Sequence, residues 1–394
     1  MRRNLVFRAA LCVALAAVGY VVAAGQTPPA RPTGTPAAAV QSPPAEVSPD
    51  DIANFIAGLP CREDKLRSLQ ESKEWKDYAA SIEKSWADLE EKRLLPMRAW
   101  TEIELADANA ATKTVFYPFG GPDFITPFVL FPNADMYVLL GLEFVGKLPS
   151  FDKAGPKNVQ TYTGNLSAAL WDFVNKSYFI THHMDETLTG DKVDGVLPLL
   201  CFFLKRTGNA IVSVKRLEFA ADGQAVEYAL YPAPAKLRRP YGVKVEFRAE
   251  GTERIRSLIF ISCDLSDGSF MKSSPIFKYC DARPFETTFI KSASYLLHYK
   301  EFSNIRTIVL AKSRFVLQDD TGVPYKYFAA AQWDGQLYGE YVKPIADFSA
   351  GVEQADLKAA YADPARVKRL PFHLGYHWST NKDSVQYFRK KSAS

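Results

Sequence analysis

From 136 to 142 the chain reads Met-Tyr-Val-Leu-Leu-Gly-Leu, without a single charge. A strand that is apolar on both of its alternating faces must be covered on both sides, as strands are in a parallel sheet layered with helices. The surrounding chain supplies such layers. Residues 114–118, Thr-Val-Phe-Tyr-Pro, read as a short strand closed by Gly120-Gly121-Pro122, and 124–131 as a short apolar helix or turn. Helical periodicity follows over 166–179 and 196–205. Residues 211–219 and 226–231 read as strands paired around the Asp222-Gly223 turn, with two more strands at 243–247 and 255–261. Helices are expected over 294–299 and 304–310, a strand over 314–317, and an aromatic, turn-rich stretch beyond Gly335. Strands alternating with helices predict a mixed, layered α/β sheet.

A helical segment precedes this body. Ser48-Pro49-Asp50-Asp51 is a helix start: serine caps open amides, proline fits the first turn, and the aspartates oppose the dipole. Ile52, Phe55 and Ile56 give its apolar face, and Gly58 ends it. Leu66, Leu69, Trp75, Tyr78, Ile82, Trp86 and Leu89 recur at helical spacing, and Pro96 opens a further helix with Met97, Trp100, Ile103 and Leu105. The expected organisation is a signal peptide over 1–24, a Pro/Ala-rich linker over 25–47, a helical segment over 48–112 and an α/β body over 113–394, with a division into subdomains allowed near 207.

The export expectation rests on the first two segments. Arg2, Arg3 and Arg8 precede an uncharged run over 9–24 that ends in Val22-Ala23-Ala24, the parts of a secretory signal. The run falls short of the roughly 20 residues that span a bilayer. Leu11 is too bulky for the lipoprotein signal that Cys12 would otherwise suggest. Residues 25–47 carry many prolines and almost no large apolar side chain, the composition of a spacer. The protein is therefore expected in the periplasm or outside the cell, touching the membrane only through an uncleaved signal anchor if at all.

Of 394 residues, 48 are basic and 44 acidic, for a net charge of +4. Nucleic-acid binding would need a concentrated basic stripe. The clusters at 236–239 and 389–391 are short and read as a solvated turn and a tail. A chain with 47% hydrophobic residues buries enough surface to fold without metals or disulfides. In an oxidising compartment the sequence spacing favours Cys263 with Cys280, whose loop would add about 3 kcal/mol in the chain-entropy model. Cys201 sits in an apolar run and reads as a buried thiol. No C-x-x-C occurs, which excludes zinc ribbons and thioredoxin-like sites.

Two stretches carry a resemblance. Phe116-Tyr-Pro-Phe-Gly-Gly-Pro-Asp-Phe124, continuing through Phe131-Pro-Asn-Ala134 to the strand that ends in Gly141-Leu-Glu143, resembles a family of uncharacterised exported bacterial proteins. So do Lys291-Ser-Ala-Ser-Tyr295 and Gln318-Asp-Asp-Thr-Gly322. Phe144 stands where that family's pattern has proline. The resemblance implies export and brings no activity, cofactor or functional residue.

The candidate binding residues are Tyr117, Gly120, Gly121, Asp123, Glu143, Asp319 and Asp320. The Gly120-Gly121 turn leaves a strand, where open α/β sheets place ligands, and Glu143 ends the next strand beside the same crevice. Asp123 serves there either as an acid or base or as the cap of the following helix. The turn lacks both G-x-G-x-x-G and the P-loop pattern. Asp320-Thr321-Gly322 has the wording of an aspartic-protease signature, but no second copy exists to share the proton, so a turn with two carboxylates is the reading. Asp319-Asp320 suits a cation only without the support of EF-hand spacing. His182-His183 point apart on any regular element, His373 and His377 flank Gly375, and no H-E-x-x-H occurs, so no metal site and no cofactor is expected. Lys291, His298 and Arg306 read as structural polar groups. No G-x-S-x-G elbow is present. Two functions remain: binding of a small molecule or envelope component, or hydrolysis by carboxylates converging on one crevice.

Overall fold

A computed structural model describes residues 47–151, 154–231, 240–348, 351–380 and 382–392. The expected signal peptide, nearly all of the linker and the basic cluster at 236–239 lie outside the described residues. Among the described residues eleven strands form one sheet: β1 Thr114–Tyr117, β2 Met136–Gly141, β3 Asn209–Phe219, β4 Ala225–Ala229, β5 Tyr241–Ala249, β6 Arg256–Ser262, β7 Phe285–Ile290, β8 Ser313–Gln318, β9 Trp333–Gly339, β10 Val367–Lys368 and β11 Ser384–Lys390. Their order is β10-β9-β11-β8-β7-β1-β2-β6-β5-β3-β4. The central five, β8-β7-β1-β2-β6, are parallel. Beyond β6 the strands β5, β3 and β4 pair antiparallel. Beyond β8, β11 runs antiparallel between β8 and β9, and β10 runs parallel to β9.

The both-face burial expected of β2 is present. Tyr137 and Leu139 join one core, while Val138 and Leu140 join a second on the opposite face. The same alternation divides Val115 and Tyr117 from Phe116, and Leu258 and Phe260 from Ile259 and Ile261. The first core is covered by Pro49–Ile56, Lys73–Leu89, Pro156–Lys176 and Leu197–Arg206, the second by Pro275–Asp281 and Ser303–Lys312. The result is a mixed α/β fold in three layers. Each fully buried aliphatic or phenyl side chain in these layers contributes about 1.5–3 kcal/mol by leaving water.

The helical segment belongs to the same unit, since Ala53, Phe55, Trp75 and Trp100 share a core with Val243 and Phe260. The sheet also runs on past 207 into β3, so no division falls there. Ser48 caps the first helix through Asp51 N, as its sequence suggests. The helical pattern over 66–89 is broken at Ser72, whose extended backbone and hydroxyl cap the helix Lys73–Leu89 through Trp75 N. The helix expected from 166 begins at Pro156 behind Gly155. Among the described residues no helix is long and apolar enough to cross a membrane.

No disulfide joins Cys263 to Cys280, contrary to the spacing argument. Cys263 follows β6 and Cys280 ends up in the helix Pro275–Asp281, each buried in the second core as a small hydrophobe.

Candidate functional site

Parallel strands that share a direction deliver their following loops to one edge of the sheet. Here the loops after β1, β2, β6 and β7 enclose a crevice of about 140 Å³. Tyr117, Gly120, Gly121, Asp123 and Glu143 all line it, as the sequence suggests. Asp319 and Asp320 are not among its lining residues, which corrects the idea of four converging carboxylates.

The β1 loop is built by close backbone approach. Gly120 N–H donates to Leu140 O at 3.0 Å, and a Cβ on Gly120 would lie 2.7 Å from the Tyr117 ring. Gly121 has φ +51. A Cβ on Gly141 would lie 3.1 Å from Gly121 Cα and would collide with Glu143 Oε2. Glycines at these places therefore let the β1 and β2 loops touch and leave the Glu143 carboxylate against the turn. Asp264, after β6, accepts from Ser266 N and from the Ser266 and Ser269 hydroxyls at 2.8 Å each.

Beneath the crevice lies a buried ion pair. Lys291 Nζ sits 2.7 Å from Asp123 Oδ2, with both side chains only 2–3% exposed. The ammonium also donates to Thr126 Oγ1 at 3.3 Å and to Ser177 O. Asp123 Oδ2 further accepts from Tyr117 OH at 3.2 Å, and Oδ1 accepts from Thr126 N and Oγ1 at 3.2 and 2.7 Å. Every proton of Lys291 and every lone-pair site of Asp123 is thus engaged. Asp123 anchors the first turn of the short helix Ile125–Leu130 through Thr126. Burial pushes the Lys291 amine below its usual range, with Asp123 opposing. Burial, then the Asp123 charge, drive the Tyr117 phenol well above its own. Tyr117 accordingly stays a neutral donor.

The wall after β7 is strained. Phe119, Ser177, Ser292, Ser294 and Tyr295 are the non-glycine residues with left-handed backbone among the described residues. Phe119, Ser292 and Ser294 line the crevice, Tyr295 adjoins it, and Ser177 precedes the lining Tyr178. Such conformations cost about 1–3 kcal/mol each and persist only where surroundings over-determine them. Asp319 and Asp320 supply that determination. Asp319 Oδ2 accepts from Ser292 N at 2.8 Å, and its Oδ1 accepts from Thr321 N at 2.9 Å. Thr321 Oγ1 accepts from Ala293 N at 2.8 Å, and Asp320 Oδ2 accepts from Tyr295 OH at 2.6 Å. Burial pushes both carboxyls up, and the Asp319 charge raises Asp320 further. With backbone and hydroxyl donors on both oxygens, Asp319 holds its charge more readily, so Asp320 is the partner that takes a proton first. The pair is a clasp for the strained wall. The Ser292 hydroxyl oxygen is buried with no hydrogen-bond partner among the described residues.

Sequence reasoning did not place the Lys291–Tyr295 wall, because β7 was not recognised. Its Thr287 and Thr288 break the apolar signal. Inside the sheet those hydroxyls pair at 2.6 Å with Thr112 and Ser313, bonds that no single-segment pattern can show. The expected helix over 294–299 is a single turn, Leu296–His298, because Tyr376 OH takes Ser294 N and Asp320 takes Tyr295 OH. Arg306 donates to Leu297 O and Tyr299 O, a structural role. His298 packs edge-on against Tyr295, and burial pushes its imidazole down to about 4.

Among the described residues no histidine lines the crevice. His182 faces Glu186 and His183 faces Asp172, with their ring centroids 6.1 Å apart, and His373 pairs with Asp383. Among the described residues no group of three or more His, Cys, Asp or Glu side chains is placed to hold a metal ion. No protein-family model, no curated protein and no solved structure matches the chain.

Proposed function

We propose that this is an exported protein that binds a small molecule in the crevice at the ends of β1, β2, β6 and β7. The observation that carries the reading is that Phe119, Ser292 and Ser294, three of the five left-handed non-glycine residues among the described residues, line one cavity, with Ser292 and Tyr295 held by the Asp319–Asp320 clasp. Strain concentrated at a cavity is a mark of a site whose shape matters. The two stretches that carry the resemblance to exported proteins, distant in sequence, meet at this same edge. The apolar lining, with Phe119, Tyr178, Phe179 and Phe302 beside a few polar groups, is the composition of a ligand pocket.

Hydrolysis by carboxylates has less support. Asp123 is fully engaged, Asp319 and Asp320 serve the clasp, and no lining imidazole stands ready as a base. The Ala293 amide, which would follow a Ser292 nucleophile, is given to Thr321. Export rests on the sequence of residues 1–47.

The test is a thermal-shift screen of envelope and culture metabolites against the purified protein and Thr181→Trp. Thr181 is an exposed residue of the crevice wall. A ligand at 100 times its Kd adds about 2.7 kcal/mol of stability. The reading predicts hits that stabilise the wild type and lose their effect in Thr181→Trp. Hits that bind both proteins equally would overturn it.

A further inference from the structure

Resting on the crevice as a binding site, we infer that its ligand is a neutral, single-ring aromatic molecule of benzene-to-phenol size, held by aromatic side chains. The first support is the use made of two strained turns. A bulky residue in the left-handed region is a rare conformation. Phe119, with φ +63, adopts it in the β1 loop and lines the crevice. Its ring centroid lies 5.9 Å from that of Phe302, at 66°, and Phe302 is a lining residue too. In a separate segment, Ser177 ends the helix Pro156–Lys176 with φ +74, at a position that glycine usually takes. Its hydroxyl accepts from Gly375 N at 3.2 Å and its carbonyl from Lys291, which fixes the turn. The next two residues, Tyr178 and Phe179, are both lining aromatics. Left-handed backbone is thus spent, in two places, on delivering aromatic rings to one cavity.

The second support is where the polar groups of the lining are already committed. Lys291 and Asp123 bond to one another and to Thr126, Ser177 and Tyr117. Gly120 N–H is spent on Leu140 O, Ala293 N–H on Thr321 Oγ1 and Ser294 N–H on Tyr376 OH. Asp264 accepts from Ser266 and Ser269, and Glu143 Oε2 and Ser292 Oγ are buried, out of a ligand's reach. A sugar, a phosphate or a carboxylate entering here would leave water without replacing its hydrogen bonds, and each such group weakens binding. A neutral ring gives up few hydrogen bonds and gains the edge-to-face and offset contacts that aromatic rings prefer. Met184 lines the same cavity and adds a polarisable sulfur of the kind that favours ring edges.

The third support is size. The crevice holds about 140 Å³. A dry protein cavity of about 150 Å³ lined by Leu, Ile and Phe takes up benzene. One ring therefore fits, and two fused rings are too large. Thr181 is an exposed residue of the lining, so a hydroxyl substituent on the ring can meet solvent at that end.

The test is calorimetric titration of the wild type, Phe302→Leu and Thr181→Trp with phenol, p-cresol, cyclohexanol, 1-naphthol and benzoate. The inference predicts 1:1 binding of phenol or p-cresol to the wild type. It predicts binding of 1-naphthol and benzoate weaker by about tenfold or more, from the cavity's size and its committed polar groups. Cyclohexanol, which lacks the aromatic contacts, should bind about two- to tenfold more weakly than phenol. Phe302→Leu should cost phenol about the same factor and change cyclohexanol little, and Thr181→Trp should lose binding throughout. Cyclohexanol equal to phenol in the wild type, or 1-naphthol or benzoate tighter than phenol, overturns the inference. If no ring compound binds, the inference falls, and the crevice reading stands where another metabolite binds in a Thr181→Trp-sensitive way. If ring compounds bind the wild type and Thr181→Trp alike, both fall.

Discussion

Replacing Lys291 by Met keeps most of the stem's volume and removes only the ammonium. The charge it leaves behind, on Asp123, is 3% exposed, and the Ser177 carbonyl loses its donor in the same stroke. Breaking one side of a buried ion pair costs about 3–5 kcal/mol, because the remaining charge is stranded away from water. A domain of 150–250 residues shifts by about 2–4 °C per kcal/mol, and a larger one by less, so Lys291→Met should lower Tm by about 4–7 °C. Denaturant unfolding of the wild type, Lys291→Met, Asp123→Asn and the double variant closes a cycle. Asp123→Asn keeps an oxygen for Thr126 and removes the charge. The double variant should therefore be less destabilised than the two single losses added together, by about 2 kcal/mol. A loss below about 1 kcal/mol for Lys291→Met, or strict additivity, would refute the buried-pair argument.

Gly141→Ala should cost about 1–3 kcal/mol, since its Cβ has nowhere to go between Gly121 and Glu143. Gly268→Ala, with nothing within 4 Å of the new methyl, serves as the control and should change stability little. Equal midpoints for the two variants would count against the close approach of the β1 and β2 loops. The Asp319–Asp320 clasp gives a pH signature. A carboxyl whose folded pKa is raised binds its proton more tightly folded than unfolded, so its contribution to stability grows as pH falls from neutrality towards about 4. Asp320→Asn should flatten that component of the Tm-against-pH curve, and an unchanged slope would mean that Asp320 does not take up the proton.

How far the sequence reaches is visible element by element. The all-apolar β2 and its glycine-closed neighbour β1 are legible because burial on both faces leaves no other pattern. The hairpin β3–β4 is legible from Asp222-Gly223. Strands β7 and β11 are not, because each carries polar residues that are satisfied only by distant partners. Thr287 meets Thr112, and Gln318 Nε2 donates to Gln386 Oε1 at 3.2 Å. The site followed the same division. Tyr117 ends a legible strand, Gly120, Gly121, Asp123 and Glu143 sit in the loops just after legible strands, and all come together at the crevice. Lys291 and Ser292 directly follow an illegible strand, and the role of Asp319 and Asp320 as a clasp depends on where β7 lies beside β8. Local wording also overstated the cysteines, since Cys263 and Cys280, close in sequence, form no disulfide.

The most direct measurement is a crystal structure of the protein with the first ligand that raises its Tm. Density bounded by Gly121, Glu143 and Ser292, with the Asp319–Asp320 clasp unchanged, is the expected result. Ligand density anywhere else, with only solvent between the β1 and β7 loops, would contradict the assignment of this edge of the sheet as the binding site.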